Sequence, residues 1–125
     1  MNDNLGKVLV VGAGLAGSEA AMYLAKRGVE VVLVENKTLQ RNPSQKLNDF
    51  AELVCTNSLK SKEPSSGHGV LKYEMNGLGS LVLESGYEAQ VPAGDALAVD
   101  REKFSSIITK KLKGHENITV VEAEV

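Results

Sequence analysis

Gly12-Ala13-Gly14-Leu15-Ala16-Gly17 constrains this chain more than any other stretch. It is G-x-G-x-x-G, entered from the β-branched apolar run Lys7 to Val11 and left through apolar positions Leu15, Ala16, Ala20, Leu24 and Ala25 at helical spacing. The run reads as a buried parallel strand and the spacing as a helix from Leu15 to Arg27 that stops at Gly28. A second apolar strand, Val29 to Val34, ends at Glu35. Strand, turn, helix and strand within residues 1–35 make one right-handed βαβ unit. In such a turn Gly12 permits the sharp reversal, Gly14 keeps a Cβ away from an approaching pyrophosphate, and Gly17 lets the helix pack closely. The first free N–H groups of the helix and its positive dipole end then face a diphosphate. Glu35 lies 18 residues beyond Gly17, where a carboxylate can accept hydrogen bonds from ribose hydroxyls and would repel a 2′-phosphate. The expected ligand is therefore a dinucleotide without a 2′-phosphate. Ala21 and Gly28 extend the fingerprint toward the longer form found in FAD-binding proteins, while the glycines alone leave NAD open.

The rest of the chain fits one α/β domain. Its 125 residues suffice for a single core, and 42% apolar with 24% charged residues is ordinary for a folded soluble protein. No apolar run approaches the length a bilayer requires, and Met-Asn-Asp-Asn lacks the pattern of a signal peptide. One cysteine rules out an intramolecular disulfide, which makes a reducing cytoplasm the expected compartment. A net charge of −2 gives no general attraction to nucleic acid. One cysteine and two scattered histidines, His68 and His115, indicate no metal site, and both histidines are expected to be structural.

Beyond Glu35, the polar stretch Asn36 to Asn48 with Pro43 reads as a loop, and Phe50 to Val54 is a short apolar run leading to Cys55. Thr56 to Gly69 reads as an exposed connection, Val70 to Leu83 as one helix interrupted by Gly77 and Gly79, and Val91-Pro92-Ala93-Gly94 as a turn. Asp100 is placed to cap a helix over Arg101 to Lys113, with Phe104, Ile107, Ile108 and Leu112 on one face. Ile118 to Val125 reads as a third strand. Lys37, Arg41, Lys46, Lys60 and Lys62 surround the cysteine segment and read first as a solvated face, with contact to RNA phosphates or a folate tail as the rival. Arg101-Glu102 and Lys110-Lys111 read as the wet face of a helix.

Phe50-Ala51-Glu52-Leu53-Val54-Cys55-Thr56-Asn57-Ser58-Leu59-Lys60-Ser61 is the most distinctive segment. Taken alone, Cys55 is a small buried hydrophobe more often than a nucleophile. Together with Val11 through Ala21 and Val91 through Arg101, however, this segment resembles the folate- and FAD-dependent tRNA uridine-C5 methyltransferases of the glucose-inhibited-division flavoprotein group. The resemblance covers essentially the whole chain. It implies a Rossmann-like FAD/NAD(P)-binding fold of which residues 1–125 are a single, partial, N-terminal domain. It implies FAD as cofactor, with methylenetetrahydrofolate and NAD(P)H as co-substrates and a T-loop uridine of tRNA as the acceptor. In that chemistry the reduced flavin takes up the folate's methylene group, which passes to C5 of uracil while a cysteine adds to C6.

Residue by residue, the resemblance implies Cys55 as the first of two functional cysteines. It places Gly12, Ala13, Gly14, Leu15, Ala16, Gly17 and Glu35 around the ADP half of FAD. The segment Ala98 to Arg101 would lie beside the flavin and the backbone at Val125 near the adenine. Two departures stand out: Asp95 occupies a position that is usually glycine, and Thr56 follows the cysteine where serine is usual. Family members are several times longer, so RNA contacts are expected in regions this chain lacks. Three rivals remain open at this point: a catalytically silent nucleotide-binding remnant, a relative acting on ribosomal RNA, and a general flavin- or NAD-linked oxidoreductase.

Overall fold

The computed structural model describes residues 6–37, 48–53, 58–62, 66–94 and 96–123. Among them the order is β1 (Val8–Val11), α1 (Leu15–Lys26), β2 (Val31–Glu35), β3 (Ser58–Ser61), α2 (Gly67–Gly77), α3 (Leu81–Glu88), β4 (Gln90–Val91), β5 (Ala96–Val99), α4 (Arg101–Gly114) and β6 (Ile118–Glu122). The fold is α/β and Rossmann-like. β1, β2 and β6 form a parallel sheet in the order β1-β2-β6, with Val10 level with Leu33 and Leu33 level with Val120. A second, antiparallel sheet runs β3-β5-β4.

Pleating sends alternate side chains to opposite faces of a sheet, so the register sorts the parallel sheet's residues. Val10, Val31, Leu33, Ile118 and Val120 join the apolar core with Ala21, Met22 and Ala25 of α1 and Ile108 and Leu112 of α4. Phe104 of α4, Leu97 and Val99 of β5, and Leu81 and Leu83 of α3 complete that core. On the opposite face Leu9 and Val11 are both 59% exposed, and Val121 is exposed as well. The expected buried character of β1 is thus corrected: the strand and its parallel pairing are as read, but β1 lies at the sheet edge. Its outward side chains have no covering layer among the described residues.

Two further expectations need correction. The single helix expected over Val70 to Leu83 is two helices. Gly79 adopts φ +76°, in the left-handed region that ends helices. Ser80 then starts α3, its side chain accepting the Leu83 N–H at 3.1 Å. Secondly, the connection expected between Thr56 and Gly69 contains β3, whose Ser58 and Ser61 pair with Ala98 and Ala96 of β5. A strand this short, with a bulge at Lys60 (φ +69°), carries too little alternation to be recognised.

The remaining elements follow their local chemistry. Asp100 caps α4 by accepting the Lys103 N–H at 3.0 Å, as its position predicts. Glu19 on α1 reaches across to α3 and accepts from the Leu81 and Val82 N–H groups at 3.1 and 2.8 Å, satisfying orphan donors of that helix. Lys111 joins α4 to α3 through Glu84 and Glu88, each at 2.9 Å, so it is not simply part of a wet face. His115 ends α4, and its Nδ1 accepts the Asn117 N–H at 3.1 Å, a structural contact. His68 falls within α2.

Candidate dinucleotide-binding site

The glycine turn stands at the carboxyl end of β1, between two parallel strands. Gly12 has φ +94° and donates its N–H to the Val34 carbonyl at 2.7 Å, which ties the turn to β2. A Cβ on Gly17 would sit 1.8 Å from the Gly12 carbonyl oxygen, a backbone atom that cannot move aside without dismantling the turn. A Cβ on Gly14 would meet nothing within 4 Å, so this side of the turn is open for an approaching group. Gly14 is also the N-cap of α1, with no side-chain cap and no acidic residue in the first turn. The helix therefore presents its positive end and its first amides outward, as anion binding requires.

Glu35 closes the site. Its carboxylate accepts the Ala13 N–H on Oε1 and the Lys37 N–H on Oε2, both at 2.8 Å, so it is held across the carboxyl ends of β1 and β2. Carboxylate oxygens each accept more than one hydrogen bond, which leaves capacity for ribose hydroxyls. The Ala13 carbonyl is engaged as well, accepting from the Ala51 N–H at 2.8 Å and the Ser18 hydroxyl at 3.2 Å. Val11, Gly12, Val34, Asn36 and Ala123 line a recess of about 80 Å³ beside the turn, far below the few hundred Å³ of a ligand pocket.

The segment before the cysteine is anchored tightly. Phe50, Ala51 and Leu53 are buried. The Phe50 N–H donates to Thr109 Oγ1 at 2.8 Å, and the Ser105 hydroxyl of α4 donates to the Ala51 carbonyl at 3.4 Å. Lys37, expected on a solvated face or against RNA, is instead buried. Its ammonium donates to the Asp49 carbonyl at 2.7 Å and pairs with Glu52 at 2.6 Å, the two side chains being 3% and 7% exposed. Burial of a lysine is tolerated here because both a carboxylate and a carbonyl receive its protons. No local pattern announces a pair separated by 15 positions. Of the other cations, Lys60 is exposed and Lys62 half-buried, while Arg41 and Lys46 lie outside the described residues.

Of the expected site residues, the structure thus brings Gly12, Ala13, Gly14, Leu15, Ala16, Gly17 and Glu35 together at one end of the parallel sheet. Arg101 is exposed on the first turn of α4, immediately after β5. Cys55, Asp95 and Val125 lie outside the described residues. Among the described residues no group of three or more His, Cys, Asp or Glu side chains is placed to hold a metal ion.

Comparison with known proteins places this arrangement. The family model for glucose inhibited division protein A matches residues 7–125. The chain belongs to that family. It is 53% identical over 118 residues to a Staphylococcus aureus (strain JH9) protein named methylenetetrahydrofolate–tRNA-(uracil-5-)-methyltransferase TrmFO, and equally to that of strain Newman. Each alignment covers 94% of this chain and 27% of the relative, so the chain spans about a quarter of the length of these relatives. Among solved structures, GidA of Aquifex aeolicus superimposes with a TM-score of 0.73 at 18% identity, over 95% of this chain and 20% of that one. A mutant of MHPCO gives 0.52 at 15% identity, over 91% and 31%. At these identities the structural likeness concerns the fold alone.

Proposed function

We propose that this chain is the FAD-binding segment of an enzyme that methylates C5 of a uridine in tRNA with methylenetetrahydrofolate. The observation that carries the reading is the glycine turn joined to Glu35 through the Ala13 N–H, in a chain 53% identical to a methyltransferase of that name. The residues present fit the ADP half of FAD. Amides at the start of α1 would face the pyrophosphate, Gly14 would allow its approach, and Glu35 would accept the ribose hydroxyls. When bound, FAD supplies the redox chemistry of one-carbon transfer, with NAD(P)H as the reductant.

This chain's own contribution is then threefold. It binds the nucleotide end of the cofactor and anchors the cysteine segment next to the same turn. It also supplies Cys55, the first of the family's two functional cysteines, which would lie beside the flavin in a reaction where a cysteine adds to C6 of uracil and makes C5 a carbon nucleophile. Arg101 would lie beside the flavin and the backbone at Val125 near the adenine. RNA would be held by parts of the protein beyond this segment, in the cytoplasm, where tRNA and folate meet.

Two measurements test the reading. Calorimetry with ADP should show saturable binding to this chain, and Glu35→Ala should weaken it about tenfold, the loss expected from one charge-assisted pair of contacts. A protein of the relatives' full length carrying this segment should be yellow and should methylate a T-loop transcript only when methylenetetrahydrofolate is supplied. Cys55→Ala should abolish that activity while leaving the flavin bound, and activity undiminished in this variant would remove the role assigned to the thiol.

A further inference from the structure

Ala13, Glu35, Lys37, Asp49, Glu52 and Ala51 form a closed circuit. The Ala13 N–H is held by Glu35, whose other oxygen accepts the Lys37 N–H. The Lys37 ammonium holds the Asp49 carbonyl and the Glu52 carboxylate, and the Ala51 N–H returns to the Ala13 carbonyl. The circuit joins three stretches that are remote in sequence: the glycine turn, the end of β2, and residues 48–53. Ala51 within it has φ +53°, a conformation a residue with a Cβ keeps only when its surroundings impose it.

We propose that Lys37 is a positioning residue that locks the glycine turn of the dinucleotide site to the segment Asp49 to Leu53. Three features support this. The ammonium is buried and donates to both a carbonyl and a carboxylate, so it is not a surface cation that happens to face a carboxylate. Its backbone N–H and its side chain act at opposite ends of the same circuit: one holds the Glu35 carboxylate, the other the Asp49 carbonyl and Glu52 carboxylate on either side of the strained Ala51 in sequence. Finally, Leu53 precedes Cys55 by two residues, so the lock also fixes the point from which the cysteine segment departs. The role rests on the dinucleotide reading above, yet the lock itself is measurable without a ligand.

The test compares amide hydrogen exchange in the wild-type chain, Lys37→Met and Lys37→Met/Glu52→Leu. Methionine alone removes the ammonium that pairs with the buried Glu52 carboxylate and can unfold the chain. The double variant replaces the ion pair by apolar packing, which buried pairs commonly tolerate, but it cannot hold the Asp49 carbonyl. In the double variant the Ala13 and Ala51 amides should exchange at least tenfold faster, while Leu33 and Ile108 keep wild-type protection. Unchanged exchange at Ala13 and Ala51, or an equal rise at Leu33 and Ile108, overturns the lock. ADP calorimetry separates the two readings. At least fivefold weaker binding by the double variant supports the positioning role, and unaltered affinity overturns it. Failure of ADP to bind the wild-type chain would sink the dinucleotide reading, and exchange would still decide the lock.

Discussion

The two faces of the parallel sheet differ in what holds them. On the inner face, α1 and α4 bury Val31, Leu33 and Ile118, and Phe104, Ile108, Leu112 and Leu97 are wholly withdrawn from water. On the outer face, Leu9 and Val11 of β1 stand open although Val34 beside Val11 is buried, and order at the strand ends comes from the glycine turn and a handful of hydrogen bonds. Stability of the chain is therefore concentrated in the helical side, where burial contributes about 25 cal/mol per Å². The proposed dinucleotide site lies instead at the carboxyl ends of the strands, where backbone geometry matters most. Damage to the first should unfold the chain, and damage to the second should cost binding out of proportion to stability.

The sharpest test is Phe104→Ala. A fully buried aromatic lost to a cavity should cost about 4 kcal/mol in denaturant unfolding, with ADP affinity preserved in whatever fraction remains folded. Gly17→Ala comes next, because its Cβ would overlap the Gly12 carbonyl. The expected cost is about 3 kcal/mol, and ADP binding should vanish even where the chain is still folded. A Gly17→Ala chain that retained ADP would break the contrast between the buried core and the glycine turn.

A smaller effect is expected where α3 meets α4. The hydrogen bond from Lys111 holds the Glu84 carboxyl below its ordinary value. For Lys111, burial lowers the ammonium's pKa, but hydrogen bonds to Glu88 and Glu84 outweigh it and leave it raised. The contribution of Glu84 is thus present above the unfolded carboxylate value of about 4.3 and is lost as pH falls through its lower folded value. That of Lys111 is present below about 10.4 and is lost as pH rises through its raised folded value. Because these carboxylates are half-exposed, Lys111→Met should cost less than about 1 kcal/mol at neutral pH. Melting curves of variant and wild type should converge in acid. Leu9→Lys, on the open face, should shift unfolding by no more than about 0.5 kcal/mol. A loss approaching that of Phe104→Ala would show that the outer face carries stability after all.

The contrast also explains what could be read from the sequence. The βαβ unit was legible because its signals are local: a β-branched run, three glycines at set offsets, helical spacing and an acid at the strand end. The Asp100 cap was legible for the same reason. The antiparallel sheet was not, since Gln90–Val91 and Ser58–Ser61 are too short for a period to show and Ala96–Val99 is uniformly apolar. The break between α2 and α3 carried a readable signal, Gly79 followed by Ser80, but the continuing apolar spacing outweighed it. The Lys37–Glu52 pair and the Glu19 contacts to α3 had no local signature, because each joins positions whose separation means nothing until the chain has folded.

The place of β1 at the rim of its sheet has a colloidal consequence. Among the described residues the backbone of β1 pairs on one side only, and such a strand leaves a row of N–H and C=O groups able to template another extended chain. Here that row lies beside Leu9 and Val11, with Lys7 as the flanking charge. Prepared by itself at high concentration, this chain should be sticky. Static light scattering should show association growing with concentration, and a proline at Leu9 or a second lysine on that rim should suppress it.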